Sequence, residues 1–264
     1  MKVLLLLSFL LVFYKAPAQS NYKKGITAFL SGNYEQGILF FRKSIAEQKQ
    51  VSSSYAHLGG CYLFLLKYDQ AAENIRTALQ ADSADKDFFF LYGKYHLITG
   101  NRDSAMYCYN KAISLDTTFA IAYSDRGIVK AYNGDIAGAF QDDSIAIRLD
   151  PNEASYWNDL GYLNIKTRKY ETAISCLKKS VSLKPNKRAY INLGLAYYLL
   201  DSLTDALENY SLALRMRDDP EAFYLRALVY KKLGRMNDAC NDLTKSLKMG
   251  YSTAAGEIKY MNCQ

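Results

Sequence analysis

The sequence has few of the residues with which enzymes carry out chemistry. It contains 2 histidines in 264 residues, and neither His57 nor His96 lies at metal-ligand spacing from a cysteine or carboxylate. It has no nucleophile elbow, no Walker loop, no glycine-rich dinucleotide turn and no C-x2-C pair. We therefore expect a protein that catalyses nothing and holds no cofactor or metal.

Proline is also scarce, and no low-complexity or Gly/Ser-rich linker divides the chain. Beyond residue 18 the prolines are Pro151, Pro185 and Pro220, which are 34 and 35 residues apart. This regular spacing indicates that each proline marks a boundary between two sequence repeats.

The first residues predict a secretory signal peptide. Lys2 provides a positive start, Val3 to Tyr14 is apolar except for one serine, and Ala16-Pro17-Ala18 is a small-x-small cleavage signal. A bilayer span needs roughly 20 apolar residues, so this run is too short to span one, and we disfavour the alternative of a retained membrane anchor. We expect cleavage after residue 18 and a periplasmic or secreted protein.

Small residues recur along the chain with a period of 34 or 33. Counted from Gly161, the first marker falls at Gly25, Gly59, Gly93, Gly127, Gly194 and Ala227. Twelve residues after each marker lies a second small residue: Gly37, Ala71, Ala105, Ala139, Ala173, Ala206 and Ala239. Seven coincidences at both positions predict seven copies of one local structure.

The apolar positions around the markers predict two helices per repeat. A large aromatic residue stands four positions before most first markers, and Trp157 takes this place before Gly161. Positions −4, 0 and +3 share one helix face, so we interpret Trp157 as a packing residue. A glycine inside a helix costs about 0.5–1 kcal/mol relative to alanine. Close contact between the two helices is the expected compensation.

The pattern W-x2-L-G-x2-Y…A…A…P at this period resembles the tetratricopeptide repeat. WNDLG at 157–161 with Ala173 and Pro185 carries it most clearly, as does YAHLGGCY at 55–62 with Ala71 and Ala78. The resemblance covers residues 20–250. It implies an all-α, right-handed α-solenoid of about seven helix pairs, in which the first helices line a concave groove.

The expected organisation is a signal peptide, seven repeats and a cap. Ala254, Ala255, Ile258 and Met261 have helical spacing and predict a C-terminal capping helix that covers the exposed end of the solenoid. The boundaries are 1–18 for the signal peptide, 19–51, 52–85, 86–119, 120–153, 154–186, 187–219 and 220–252 for the repeats, and 253–264 for the cap.

The tail of the chain also resembles the ends of many secreted proteins of this family, in which two cysteines lie close together. That resemblance implies a disulfide between Cys240 and Cys263. Cys108 and Cys176 occupy equivalent positions in two repeats that are separated by one other repeat. Because helices pack roughly 8–10 Å apart, these two lie beyond the Cα separation of about 7 Å that a disulfide allows.

Arg and Asp occur together in two repeats at a spacing of 16 residues. Arg126 is followed by Asp142, and Arg226 by Asp242, whereas the other five repeats have neither residue at these positions. The spacing places the arginine on the first helix opposite the aspartate on the second. We predict two bidentate structural ion pairs, and we disfavour a catalytic carboxylate beside an arginine because the pair repeats.

The resemblance implies a peptide-binding groove lined by particular first-helix positions. In the C-terminal half these positions predict a binding surface of tyrosines and aliphatic residues with nearby cations. Its residues are Asn158, Tyr162, Lys166, Arg188, Ile191, Leu195, Tyr198, Tyr224, Leu228 and Lys232.

We expect the partner to be a protein or peptide that the groove binds. One alternative is an anionic glycan or lipid surface bound by the basic segment 178–188, although a solvated outer face explains that segment more simply. A second alternative is a self-associating structural solenoid. We expect no nucleic-acid partner, we do not favour a membrane surface, and we take a monomer as the default.

Overall fold

The structure of this chain is entirely helical in the part that it describes. The computed structural model describes residues 19–263, and the predicted signal peptide, residues 1–18, lies outside them. Fifteen α-helices account for all the regular secondary structure of these residues. The predicted all-α fold of consecutive helix pairs is confirmed. The described chain divides after Tyr95 into two compact units.

Each unit is built from helices that follow one another closely along the chain. Unit 1 contains α1 (Asn21–Leu30), α2 (Tyr34–Ala46), α3 (Val51–Phe64), α4 (Tyr68–Ala81) and most of α5 (Lys86–Ile98). Unit 2 contains the end of α5, then α6 (Arg102–Leu115), α7 (Ala120–Tyr132), α8 (Ile136–Leu149), α9 (Ala154–Lys166), α10 (Tyr170–Leu183), α11 (Lys187–Leu199), α12 (Leu203–Met216), α13 (Pro220–Lys232), α14 (Met236–Lys248) and α15 (Ala254–Met261). Among the described residues, no helix combines the length and apolar character needed to cross a bilayer.

The first marker lets a large side chain of the second helix approach the first helix. A Cβ atom added at Gly161 would lie 2.6 Å from Cγ of Leu177 on α10. In unit 1, a Cβ at Gly25 would lie 2.6 Å from Cε1 of Phe41 on α2. Real Cβ atoms essentially never come this close to another atom, so a side chain at these positions would force Leu177 or Phe41 to shift. The missing side chain thus sets the distance within the helix pair.

The second marker completes the contact from the other side. Ala71, Ala173, Ala206 and Ala239 are fully buried, with 0% exposure. A hydroxyl adds a hydrogen bond in two later repeats: Ser180 Oγ donates to the carbonyl of Ala154 at 2.7 Å, and Ser246 Oγ donates to that of Pro220 at 2.6 Å. These bonds tie the start of a first helix to the second helix of its own pair.

The turn inside each repeat requires a residue in the left-handed conformation. Four turns use glycine there: Gly32, Gly100, Gly134 and Gly234, with φ between 72° and 86°. Three other turns use Leu66, Arg168 and Asp201, with φ of 59°, 61° and 60°. The left-handed region costs an L-residue roughly 1–2 kcal/mol. These three side chains are therefore held in place against a backbone preference.

The last helix covers the end of the final repeat. Ala254 of α15 is fully buried and packs in one cluster with Ala227, Ala239 and Leu243. Ile258, Met261 and Cys263 pack against the same cluster. The helix thereby shields apolar side chains of α13 and α14 from water.

Substitution of Gly161 by Ala tests the close approach. Higher helix propensity would stabilise the variant by about 0.5–1 kcal/mol, but overpacking against Leu177 costs about 1–3 kcal/mol. We expect a net loss of about 1 kcal/mol in the free energy of unfolding, measured by urea denaturation. Gly256→Ala in α15 is the matched control, because no atom lies within 4 Å of its added Cβ. Equal stabilisation of both variants would contradict the packing argument.

Candidate functional site

The predicted binding residues lie on three first helices of unit 2, α9, α11 and α13. The last residues of α7, α9, α11 and α13 are Tyr132, Lys166, Leu199 and Lys232, and all four are exposed. Two more exposed residues, Tyr162 and Arg188, lie on α9 and α11. We call the surface formed by these six residues the first-helix face.

Tyr162 and Lys166 form its most accessible part. They are four residues apart on α9, so their side chains lie on the same side of the helix. Tyr162 is 40% exposed, and Lys166 Nζ lies 5.2 Å from the centre of its ring. Both side chains therefore offer polar groups to solvent beside an aromatic surface.

Tyr198 and Lys232 lie together, but their polar groups are already engaged. Lys232 Nζ is 4.5 Å from the Tyr198 ring centre and 3.0 Å from Oδ1 of Asp201. Arg188 has a looser pairing, with Nη1 3.6 Å from Oε2 of Glu221. The chain therefore neutralises two of the cations that the sequence assigns to the groove.

The C-terminal segment covers part of α13. The ring of Tyr224 lies 5.2 Å from that of Tyr251, and Lys231 Nζ is 2.8 Å from Oε2 of Glu257 on α15. Lys231 also lies 4.4 Å from the ring centre of Tyr260. Tyr224 is consequently less available than Tyr162. The prediction of a cap from apolar spacing alone did not anticipate these polar contacts.

Asn158 belongs to a line of hydrogen bonds across three first helices. Asn192 Nδ2 on α11 donates to Oδ1 of Asn158 at 2.9 Å, and Asn158 Nδ2 donates to Oδ1 of Asp159 at 3.1 Å. Ser124 Oγ on α7 donates to Oδ2 of Asp159 at 3.2 Å. The spacing of 34 residues between Ser124, Asn158 and Asn192 is the signal by which the sequence could have revealed this line.

The structure corrects the placement of Ile191 on the binding surface. Ile191 is only 3% exposed and packs with Ala206, Tyr210, Ala222 and Val229 of the neighbouring helices. An aliphatic side chain at this position is drawn into the core, whereas Asn158, at the corresponding position of α9, remains half-buried. Leu195 and Leu228 are likewise half-buried and border the face.

The two predicted Arg and Asp pairs have bidentate geometry. Arg126 Nε and Nη2 lie 2.8 and 2.7 Å from Oδ2 and Oδ1 of Asp142, and Lys130 Nζ lies 2.9 Å from Oδ2. Arg226 Nε and Nη2 lie 2.7 and 3.0 Å from Oδ2 and Oδ1 of Asp242. Each pair joins a first helix to the second helix of the same repeat. All four carboxylate oxygens are occupied by these cations, which leaves the pairs in a structural role.

Cys240 and Cys263 form a disulfide with a Cα separation of 5.4 Å. It ties the residues after α15 to α14. The three remaining cysteines are buried, and burial raises the pKa of Cys61 to about 12 and that of Cys108 to about 11. Neutral thiols of this kind are poor nucleophiles.

Asp143 is a buried carboxyl that the sequence pattern did not reveal. It is 2% exposed, and its Oδ1 has no hydrogen-bond partner. A Cβ added at Gly127 would lie 3.0 Å from this atom, so the first marker of the fourth repeat makes room for a carboxyl. Burial, with the negative charges of Asp159 and Asp142, raises the pKa of Asp143 to about 8. Within residues 19–263, no group of three or more His, Cys, Asp or Glu residues could hold a metal ion.

Comparisons of the sequence with known proteins give consistent matches. Residues 62–118, 154–187 and 220–249 match family models described as tetratricopeptide repeat. The BBSome complex member BBS4 of Mus musculus is 25% identical over 269 residues, which cover 88% of this chain and 51% of that protein. The chain spans about half the length of the BBS4 proteins that it matches.

Solved structures show a similar fold. The APC/C hetero-tetramer Cut9–Hcn1 contains a chain with a TM-score of 0.81 and 20% identity, and the match covers 90% of this chain and 48% of that one. YrrB, described as having an unusual peptide-binding site, has a TM-score of 0.52 and 20% identity, with 70% of this chain and 97% of that one covered. At these identities the likeness extends to the fold alone.

Replacement of Asp143 by Asn should stabilise the protein in a pH-dependent way. A carboxyl whose folded pKa is raised from 3.8 to about 8 contributes stability that is fully present below pH 4 and is lost as the pH rises through 8. The asparagine does not titrate. The stability difference between variant and wild type should therefore grow by on the order of 4 kcal/mol between pH 5 and pH 8, and then level off.

Urea unfolding at a series of pH values measures this difference. The control is Asp142→Asn, which leaves Arg126 and Lys130 without their carboxylate and should lower stability by about 3–5 kcal/mol. A pH-independent effect of Asp143→Asn would contradict the protonation of Asp143 in the folded state.

Proposed function

The chain contains tetratricopeptide repeats, as its sequence pattern indicates, and on this premise we propose that the first-helix face of unit 2 binds a protein or peptide partner. Repeats of this kind are generally non-catalytic scaffolds for protein interactions. The proposal assigns the partner contact to Tyr132, Tyr162, Lys166 and Leu199, with the half-buried Asn158, Leu195, Tyr198, Tyr224 and Leu228 at the border. Arg188 and Lys232 stay in this set as cations that are paired with acids of the chain itself.

One observation carries the proposal: large side chains remain exposed on successive first helices. Tyr132 is 63% exposed, Tyr162 is 40% exposed and Leu199 is 42% exposed. These residues belong to α7, α9 and α11, which pack side by side in unit 2. Grouped apolar exposure with polar neighbours is typical of protein interaction sites.

The relatives support a binding scaffold. BBS4 is a member of the BBSome complex, and Cut9 is found with Hcn1 in a hetero-tetramer. YrrB is described by its peptide-binding site. We extend to this chain only the shared property, which is the binding of another polypeptide by a helical repeat scaffold.

We also propose that the mature chain is exported to the periplasm or the extracellular space. The signal-peptide pattern of residues 1–18 supports this location. The disulfide between Cys240 and Cys263 supports it as well, because such bonds persist in oxidising compartments.

Partner capture with surface variants tests the binding face. The bait is the chain without residues 1–18, and the variant is Tyr132→Ala/Tyr162→Ala/Leu199→Ala. We expect the variant to retain less than about a tenth of a partner that the wild type captures from an envelope fraction, since two or three truncated anchors typically remove 1–2 kcal/mol each. Quantitative mass spectrometry measures the retained partner.

The matched control removes the same kinds of side chain from the second helices. Tyr107→Ala/Leu149→Ala/Met216→Ala changes residues that are 58%, 38% and 49% exposed. It should retain the partner at the wild-type level. Equal retention by both variants would place the binding surface elsewhere.

A further inference from the structure

The cations of unit 2 differ in whether a carboxylate of the chain lies within salt-bridge distance of them. One group is neutralised by carboxylates of the chain itself, as Arg126 and Lys130 are by Asp142, and Arg226 by Asp242. Other cations, among them Arg102, Lys166 and Lys169, lie over aromatic rings and have no carboxylate of a described residue within salt-bridge distance. A ring face attracts a cation by about 0.5–1 kcal/mol at an exposed site but does not cancel its charge. These cations can therefore still attract an anionic partner.

Three cations without a carboxylate partner lie in or beside the turn between α9 and α10, and a fourth, Arg102, lies at the start of α6. Arg102 Cζ lies 5.3 Å from the ring centre of Tyr132, and Lys166 Nζ lies 5.2 Å from that of Tyr162. Lys169 Nζ lies 5.7 Å from the ring centre of Phe140 on α8, and Arg168 precedes it in the same turn. In the part of the chain that the structure describes, none of the four is within salt-bridge distance of a carboxylate.

These residues lie next to one another in unit 2. The contact between Arg102 and Tyr132 joins the start of α6 to the end of α7. Helix α7 packs against α9, and α8 packs against α9 and carries the ring under Lys169. We call Arg102, Tyr132, Tyr162, Lys166, Arg168 and Lys169 the cation strip. It overlaps the first-helix face at Tyr132, Tyr162 and Lys166.

Two acids lie close to the strip along the chain. Asp103 and Glu171 are exposed and lie in the first turns of α6 and α10. At these positions a carboxylate interacts favourably with the positive end of its own helix. Among the described residues, no salt bridge joins either carboxylate to a cation of the strip.

Arg168 keeps its side chain at a conformational cost. Its φ is 61°, in a turn where Gly100, Gly134 and Gly234 serve in three other repeats of unit 2. A glycine would remove the strain, yet the turn retains an exposed arginine whose side chain has no hydrogen bond or ion pair to a described residue. Strain that is retained in this way is a reason to look for a functional contact.

We propose that the cation strip binds an acidic, extended segment of the partner protein. This inference rests on the proposed function, because it names the chemistry of the partner at the same face. The cations attract the carboxylates, and the tyrosine hydroxyls can donate hydrogen bonds to carboxylate or backbone oxygens. The rings hold Arg102, Lys166 and Lys169 over flat surfaces on which an extended chain can lie.

The spacing of the helices determines which acidic segment fits best. Adjacent packed helices lie roughly 8–10 Å apart. An extended chain advances roughly 3.3 Å per residue, so about three residues span one step. The strip therefore selects a segment with an acidic residue at every third position.

Fluorescence anisotropy with synthetic peptides tests this proposal on the chain without residues 1–18. The probe is a fluorescein-labelled dodecapeptide with Glu at every third position and Gly or Ser between. We expect it to bind at least tenfold more tightly than the same peptide with Lys in place of Glu. It should also bind at least threefold more tightly than a peptide with the same residues and its glutamates clustered at one end.

Two double variants that each remove two positive charges distinguish binding by the cation strip from binding through the net charge of the protein. Arg168→Ala/Lys169→Ala should weaken binding at least tenfold, whereas Lys179→Ala/Lys184→Ala, at the far end of α10, should change it less than twofold. Arg168→Gly should weaken binding at least threefold while the melting temperature stays equal or rises, because it relieves the backbone strain. Its result excludes loss of folding as the cause.

Several outcomes would overturn the proposal. These are no binding of the acidic peptide by the wild type, equal weakening by both double variants, and strip-dependent binding to phosphatidylglycerol vesicles without peptide binding. Loss of the captured partner on Tyr132→Ala/Tyr162→Ala/Leu199→Ala, combined with any of these results, would keep the proposed function and remove only the acidic specificity. Partner capture that survives that triple variant would remove the proposed function itself.

Discussion

The arrangement of this molecule depends on the close approach of the two helices of a repeat at the first marker. At Gly161 the missing side chain is replaced by Leu177 of α10, and at Gly25 by Phe41 of α2. Successive residues of a helix point about 100° apart. Because Gly161 faces its partner helix, Tyr162 is turned away from it and towards solvent. The packing requirement thereby sets which side chains can reach a partner.

The two buried carboxyl groups Asp142 and Asp143 are accommodated in the interior in different ways. Asp142 is buried, and Arg126 and Lys130 neutralise it at hydrogen-bond distance. Asp143, the next residue, is equally buried without a cation beside it, and its raised pKa keeps a proton on the carboxyl at neutral pH. A neutral acid beside Gly127 meets the same geometric need as an apolar side chain beside Gly161. The cost is stability that depends on pH.

Neutralisation within the chain also decides which surface is available for binding. Lys232 is bound by Asp201 and Lys231 by Glu257, so the C-terminal end of the first-helix face is engaged with the protein itself. Around the α9–α10 turn, Lys166 and Lys169 lie over rings without a carboxylate partner among the described residues and keep their charge exposed. The centre of unit 2, rather than its C-terminal end, therefore offers both aromatic surface and uncompensated charge. This contrast is the physical basis of the two proposals.

The sequence by itself determined the repeat, the helix pairs and the pairing of Arg126 with Asp142, because these follow from residues at fixed offsets along one chain. It also located Tyr162 and Lys166 on an exposed helix side. Only the tertiary structure decided that Ile191 is buried, that Lys232 pairs with Asp201 and that Oδ1 of Asp143 has no hydrogen-bond partner. Periodicity is a local property, whereas burial and charge compensation depend on side chains that converge from different repeats. The position of a residue within the repeat therefore predicts the helix face on which it lies, but not the residues that it contacts there.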